Sequence, residues 1–233
     1  MTLARKLVAE SLGTAFLLAV VVGSGIMAER LAGGNVAIAL LANTLATGAG
    51  LVALILTFGP ISGAHFNPAV TLADAWQGGL PWREAPAYVT AQVAGAFAGV
   101  AAAHPMFEEP LFFASLRERS GPAQWWSEFV ATFGLLAVIW GTVKSRPTAV
   151  PFVVGAYITA AYWFTSSTSF ANPAVTLARA ASDTFAGIRP VDAPGFIVAQ
   201  LLGAVAATAL FRWLIPTLPK GAPDVMVPHP DND

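Results

Sequence analysis

The sequence predicts an all-α membrane protein with six transmembrane helices and two re-entrant half-helices, arranged as two inverted repeats. Three observations carry this expectation. Of the 233 residues, 56% are hydrophobic and 11% charged, against about 25% charged in an ordinary soluble domain. Six segments are apolar over the roughly 20 residues needed to cross a bilayer core. The string Asn-Pro-Ala-Val-Thr-Leu-Ala occurs twice without change, at 67–73 and 172–178.

The first span, about 7–28, follows Arg5-Lys6. Its apolar run is longer than a signal-peptide core, and no small-x-small cleavage site stands out, so it reads as uncleaved. Further spans follow at 36–58, 85–106, 125–143, 149–166 and 194–215. Between spans two and three, and again between five and six, lie the apolar stretches 61–79 and 166–187, each interrupted by Asn-Pro. They are too interrupted to span and too apolar for ordinary loops. The expected organisation is a first repeat at 1–106, a connecting loop at 107–124, a second repeat at 125–215 and a disordered tail at 216–233.

The two halves match beyond the shared string. Glu10 in AESLGTAFLLAV corresponds to Glu128 in WSEFVATFGLLAV, and Gln92 with Gly95 corresponds to Gln200 with Gly203. Each half holds three spans, an odd number, so the copies enter the membrane from opposite sides and place a functional site near its midplane. With the N-terminus cytoplasmic, seven Lys/Arg (5, 6, 83, 144, 146, 212, 220) fall on that side and five (30, 117, 119, 179, 189) on the other. The positive-inside rule then puts both termini in the cytoplasm.

Asn is a favoured helix N-cap and Pro is favoured at the first helical position. Asn67-Pro68-Ala69 and Asn172-Pro173-Ala174 therefore read as helix starts. About ten residues at 1.5 Å each cover half of a roughly 30 Å core, so two such helices from opposite faces meet at the centre by their N-termini. The non-helical backbone leading into each must be buried in protein or line a water-filled cavity, which implies a lumen. Each N-terminus carries roughly +0.5 elementary charge and disfavours cations there. The Asn67 and Asn172 amides would donate hydrogen bonds to a neutral solute. The carbonyls of Gly63, Ala64, His65, Ser167, Thr168 and Ser169 would accept them.

These paired motifs, with glutamates in spans one and four, resemble the major intrinsic protein family of aquaporins and aquaglyceroporins over nearly the whole chain. The resemblance implies a passive channel, not an enzyme, with one pore per subunit in a homotetramer and no cofactor or resident metal. In that family the second motif continues with an arginine that forms part of a constriction; here the position holds Val175. Counting back from the asparagines without gaps, the other constriction positions fall on Thr47, Ala160 and Ser169. This set is small and uncharged, and it predicts a wide passage with one apolar wall. Arg179, one turn further on, is expected to be solvated or capping rather than to replace the missing arginine.

The valine resembles a subgroup of bacterial aquaglyceroporins linked to arsenic resistance, the AqpS type. By analogy the permeants are arsenous acid, methylated arsenicals and glycerol-like polyols, with water a minor permeant and protons and ions excluded. The rivals are a conventional glycerol or water facilitator and a gradient-coupled secondary transporter. An intramembrane enzyme is weakest, since no nucleophile–base pair stands out. Expected partners are small neutral solutes and the bilayer of a bacterial inner membrane; a net charge of -1 gives no footing for nucleic acid.

Glu10 and Glu128 sit mid-span, where a carboxylate is costly. They are expected to brace the re-entrant loops together with Gln92 and Gln200. The small residues at Gly95, Gly99, Gly203 and Ala207 are expected to let spans three and six cross closely. His104 and His229 read as ordinary loop and tail residues.

Overall fold

The computed structural model describes residues 1–216, so the tail assigned as disordered lies outside the described residues apart from its first position. Those residues form α1 (Leu3–Leu31), α2 (Val36–Ser62), α3 (Pro68–Gln77), α4 (Ala85–Met106), α5 (Pro122–Val143), α6 (Val150–Phe164), α7 (Pro173–Arg179) and α8 (Ala193–Leu214). A short 3-10 turn, Pro147–Ala149, precedes α6.

Among the described residues, five helices (α1, α2, α4, α5 and α8) are long and apolar enough to cross a membrane. The fifth span is shorter than the sequence suggests, because α6 stops at Phe164. The Ser/Thr run that follows competes for its backbone: the Thr165 hydroxyl donates to the Ala161 carbonyl at 2.6 Å, and Thr168 N–H turns back to Thr165 O. Fifteen residues of α-helix plus the 3-10 turn still reach about 28 Å.

The bundle departs from the pattern of a soluble protein, with apolar side chains on its outside and polar groups admitted to a largely apolar interior. Leu12, Phe16, Leu41, Leu45, Leu202 and Val205 face outward, whereas Glu10, Gln92, Glu128, Thr132 and Gln200 are fully buried. Apolar side chains gain nothing by hiding from lipid, so the interior can be given to polar groups that bond one another.

Packing repeats between the halves. α1 lies on α4 and α2, α5 lies on α8 and α6, and α2 meets α6 across the centre. The small residues of α4 and α8 therefore serve a different contact from the one expected. Gly95 and Gly99 press against the Ser11 and Ala15 carbonyls of α1, and Gly203 presses against the Phe129 carbonyl of α5. A Cβ at Gly99 would run into the Ala15 carbonyl oxygen and Leu18 Cβ. Gly99→Ala should therefore push α1 and α4 apart and cost about 1–3 kcal/mol, the usual penalty of overpacking. An unfolding midpoint in detergent equal to the parent's would refute this.

The half-helices α3 and α7 begin where the motifs place them. Asn67 and Asn172 are extended at φ -153° and -158° and cap their own helices through side-chain oxygens. The approach to each cap is strained at matched positions: Ala64 and Phe66 before Asn67, and Ser169 and Ala171 before Asn172, all have φ near +50°. Such residues cost about 1–3 kcal/mol each and persist only where the surroundings hold them.

Candidate functional site

The two half-helix N-termini are tied to each other. Asn67 Nδ2 donates to the Ala171 carbonyl at 2.7 Å, and Asn172 Nδ2 donates to the Phe66 carbonyl at 2.8 Å. Asn67 Oδ1 accepts from Ala69 N–H, and Asn172 Oδ1 accepts from Ala174 and Val175 N–H. Each amide nitrogen carries two protons, so one per asparagine remains for a solute. Pro68, Ala69, Pro173 and Ala174 are fully or almost fully buried behind them.

Two carboxylates hold the strained loops. Glu10 accepts from the Ser62 hydroxyl, His65 N–H, Phe66 N–H and Gln92 Nε2, at 2.6 to 3.0 Å. Glu128 accepts from Phe170 N–H, Ala171 N–H and Gln200 Nε2, at 2.6 to 2.9 Å. Gln92 and Gln200 also donate to Thr71 and Thr176, the threonines of the repeated string. The loops' turned-in N–H groups thus find partners at buried positions, where an unpaired one is expensive.

A cavity runs between these loops. One side is bordered by Ala64, His65, Phe66, Asn67, Ser169, Phe170, Ala171 and Asn172. The other is an aliphatic wall from four helices, including Leu17, Val21, Leu51, Ile55, Leu135, Val154 and Ile158. Of the four residues expected at the constriction, Thr47, Ser169 and Val175 border the cavity. Ala160 does not: it is exposed on the outside of α6. At 100° per residue, Val154, Ile158 and Tyr162 share the face that reaches the cavity, and Ala160 lies on the opposite one. The gap-free count therefore picked the wrong face. Tyr162 stands in the lumen instead, its hydroxyl 3.3 Å from Thr47 Oγ1.

Among the expected carbonyl positions, Ala64, His65 and Ser169 border the cavity, whereas Gly63, Ser167 and Thr168 do not. Gly63 caps α2 in the left-handed region at φ 88°. The Ser167 carbonyl is taken by Arg119 Nη1 at 3.0 Å.

One arginine was misjudged from sequence and a second was given no role there. Arg179 is only 2% exposed and borders the cavity, contrary to the solvated or capping role expected. Its Nε donates to the Ala186 carbonyl, and its guanidinium lies 3.3 Å from the Phe170 ring centroid. Arg119, from the connecting loop, approaches the same ring at 5.0 Å and donates to Gly187 O as well as Ser167 O. Burial, with Arg117 nearby, pushes the Arg119 guanidinium down to about 10, which still leaves it charged at neutral pH. Asp192 anchors this loop by accepting from Arg119 N–H and Arg189. Burial pushes its carboxyl up, but the Arg189 and Arg119 donors outweigh burial and hold it below the ordinary carboxylate range. His104 is likewise no loose loop residue. It is fully buried, 2.8 Å from Ser182 Oγ and 3.0 Å from Leu111 O. No pattern in the sequence marked these contacts, since most of their partners lie tens of residues away.

A lumen bordered by two apposed half-helices inside a bundle of apolar helices defines a membrane channel. The family model described as major intrinsic protein matches residues 1–169 and 146–230, and the chain belongs to that family. It is 61% identical over 213 residues to "Aquaglyceroporin AqpS" of Rhizobium meliloti (strain 1021), covering 91% of each chain. It is 30% identical to "Aquaporin NIP3-1" of Oryza sativa subsp. japonica, over 90% of this chain and 68% of that one. In fold it resembles the aquaglyceroporin from Plasmodium falciparum with a TM-score of 0.71, at 23% identity, covering 93% of this chain and 99% of that one. The chain is thus an aquaglyceroporin-like channel for small solutes, and not an enzyme.

Proposed function

We propose that this channel passes neutral hydroxylated solutes with a partly apolar surface: arsenous acid, methylated arsenicals and glycerol-like polyols, with water a minor permeant. The observation that carries this reading is the two-sided lumen. Asn67, Asn172 and the loop backbone offer donors and acceptors along one side, while Leu17, Leu51, Ile55, Leu135, Val154 and Ile158 offer only aliphatic surface along the other. A solute that turns hydroxyls to one wall and methyl or methylene groups to the other keeps its hydrogen bonds without wetting the second wall. Water has no apolar face to match.

Thr47, Ser169 and Val175 act as part of the constriction in this reading. Protons and ions are excluded because two positive helix ends meet at the centre and the aliphatic wall offers a cation no oxygen. A bacterial plasma membrane and cytoplasmic termini complete the proposal, on the footing of the bacterial relative and the arginine and lysine distribution, with four subunits as the family resemblance implies.

The test is purified protein in liposomes, given water, glycerol, arsenous acid and monomethylarsenous acid in parallel. Uptake of the last three should be linear in concentration and indifferent to a proton gradient. Saturable, proton-dependent uptake would point to a coupled transporter, and water flux with no metalloid flux to a conventional facilitator.

A further inference from the structure

We propose that Arg179 is a specificity-determining residue of the lumen, supplying from one turn further along α7 the guanidinium that position 175 lacks. The proposal rests on the channel reading above. Residues 175 and 179 stand four apart on α7 and so share a face; both border the same cavity. Helical side chains lean toward the helix N-terminus, which for α7 is the Asn172 end. A side chain as long as arginine's spans the rise of about 6 Å between the two positions. The guanidinium of Arg179 is thereby brought back toward the level of Val175, whose short side chain leaves it room.

Its placement is fixed by partners that leave its working end free. Nε donates to the Ala186 carbonyl, and the plane rests on Phe170, whose ring packs edge-on against Phe196 at 5.2 Å. Arg119 lies against the same ring and pins the loop that carries it. The two terminal nitrogens of Arg179 donate to no acceptor among the described residues. Nor are they among the sealed-off polar atoms without partners, so they keep access to open space, and the space Arg179 borders is the cavity. No carboxylate lies within ion-pairing distance of it among the described residues.

A buried guanidinium without a counter-ion makes sense in a lumen whose contents supply its acceptors. Its free N–H groups would bond the hydroxyl oxygens of a neutral solute, and its charge would repel cations. Together with Tyr162 and Thr47 it makes a filter with a charged donor facing the aliphatic wall.

The absence of cysteine from the chain permits a direct test. Arg179→Cys and Val175→Cys proteins in liposomes are treated with a water-soluble, positively charged methanethiosulfonate. Both should react, and modification of the Arg179→Cys protein should restore a cation at that site. Arg179→Val should admit a proton or potassium conductance at least about tenfold above the parent's, equivalent to ~1.4 kcal/mol of lost exclusion. It should also change the ranking of glycerol against arsenous acid. The exchange variant, Val175→Arg with Arg179→Val, should regain ion tightness. An Arg179→Cys protein that stays unmodified while Val175→Cys reacts would overturn the proposal, even if the valine variant fails to fold. So would a folded Arg179→Val channel with the parent's ranking and tightness. A parent protein that carries none of these solutes would instead sink the channel reading itself.

Discussion

Replacing Glu10 by alanine should cost several kcal/mol and leave little folded channel. The carboxylate receives four donors, two of them the backbone N–H groups of His65 and Phe66. Each buried group left unpaired costs about 1–3 kcal/mol, so the backbone pair alone accounts for roughly 2–6 kcal/mol. That is a large share of a typical total of about 5–15 kcal/mol. Gln92, the fourth donor, would keep only its bond to Thr71. The strained backbone at Ala64 and Phe66 would also lose the contact that holds it. Glutamine should rescue only in part: its NH2 group would face two donors wherever it pointed. Thermal unfolding in detergent, alongside glycerol flux, reads this out. An alanine variant with the parent's midpoint and flux would show that the loop is held by something else. Glu128, with its matched set of donors, should behave alike.

Substituting Val175 by arginine should reduce uptake of arsenous acid and monomethylarsenous acid at least about tenfold, a barrier increase of ~1.4 kcal/mol. The valine borders the cavity from the half-helix side, so the change swaps aliphatic surface for a bulky cation. It also adds a second guanidinium to a lumen that already holds that of Arg179. Two unit charges roughly 6 Å apart repel by about 3 kcal/mol at an effective dielectric of about 20. The new side chain is therefore driven into the passage, away from Arg179 and across the path of the solute. Water, being smaller, should suffer less than the arsenicals. Equal uptake of arsenicals by the variant and the parent would end the argument that position 175 filters solutes.

Most of the architecture was legible from residues alone. The unchanged repeat of Asn-Pro-Ala-Val-Thr-Leu-Ala marked two helix starts whose caps need only local chemistry, and both helices begin there. Glu10, Gln92, Glu128 and Gln200 were readable as a bonded group because polar side chains in a membrane must find partners. They were also duplicated between the halves. The end of α6 was misjudged by two residues, since hydropathy cannot register hydroxyls bonding back onto the backbone.

The constriction was legible only in part. Thr47, Ser169 and Val175 reach the lumen, while Ala160 faces outward and Tyr162 faces in. A gap-free count from Asn172 carries no information about how α6 is rotated, and α6 turns Val154, Ile158 and Tyr162 to the cavity. Arg179 shows the same limit in another form. Its position on α7 followed from sequence, but a long flexible side chain can point to solvent or to the lumen. Phe170 and Ala186, brought together by the fold, decide which.

The sequence by itself thus determined the two half-helices, the inverted repeat and the buried carboxylates, because each follows from local capping or from the cost of unpaired polar groups in lipid. Only the tertiary structure decided which face of α6 and which arginine border the lumen. Those depend on helix rotation and side-chain direction, which packing in three dimensions fixes and residue order alone does not.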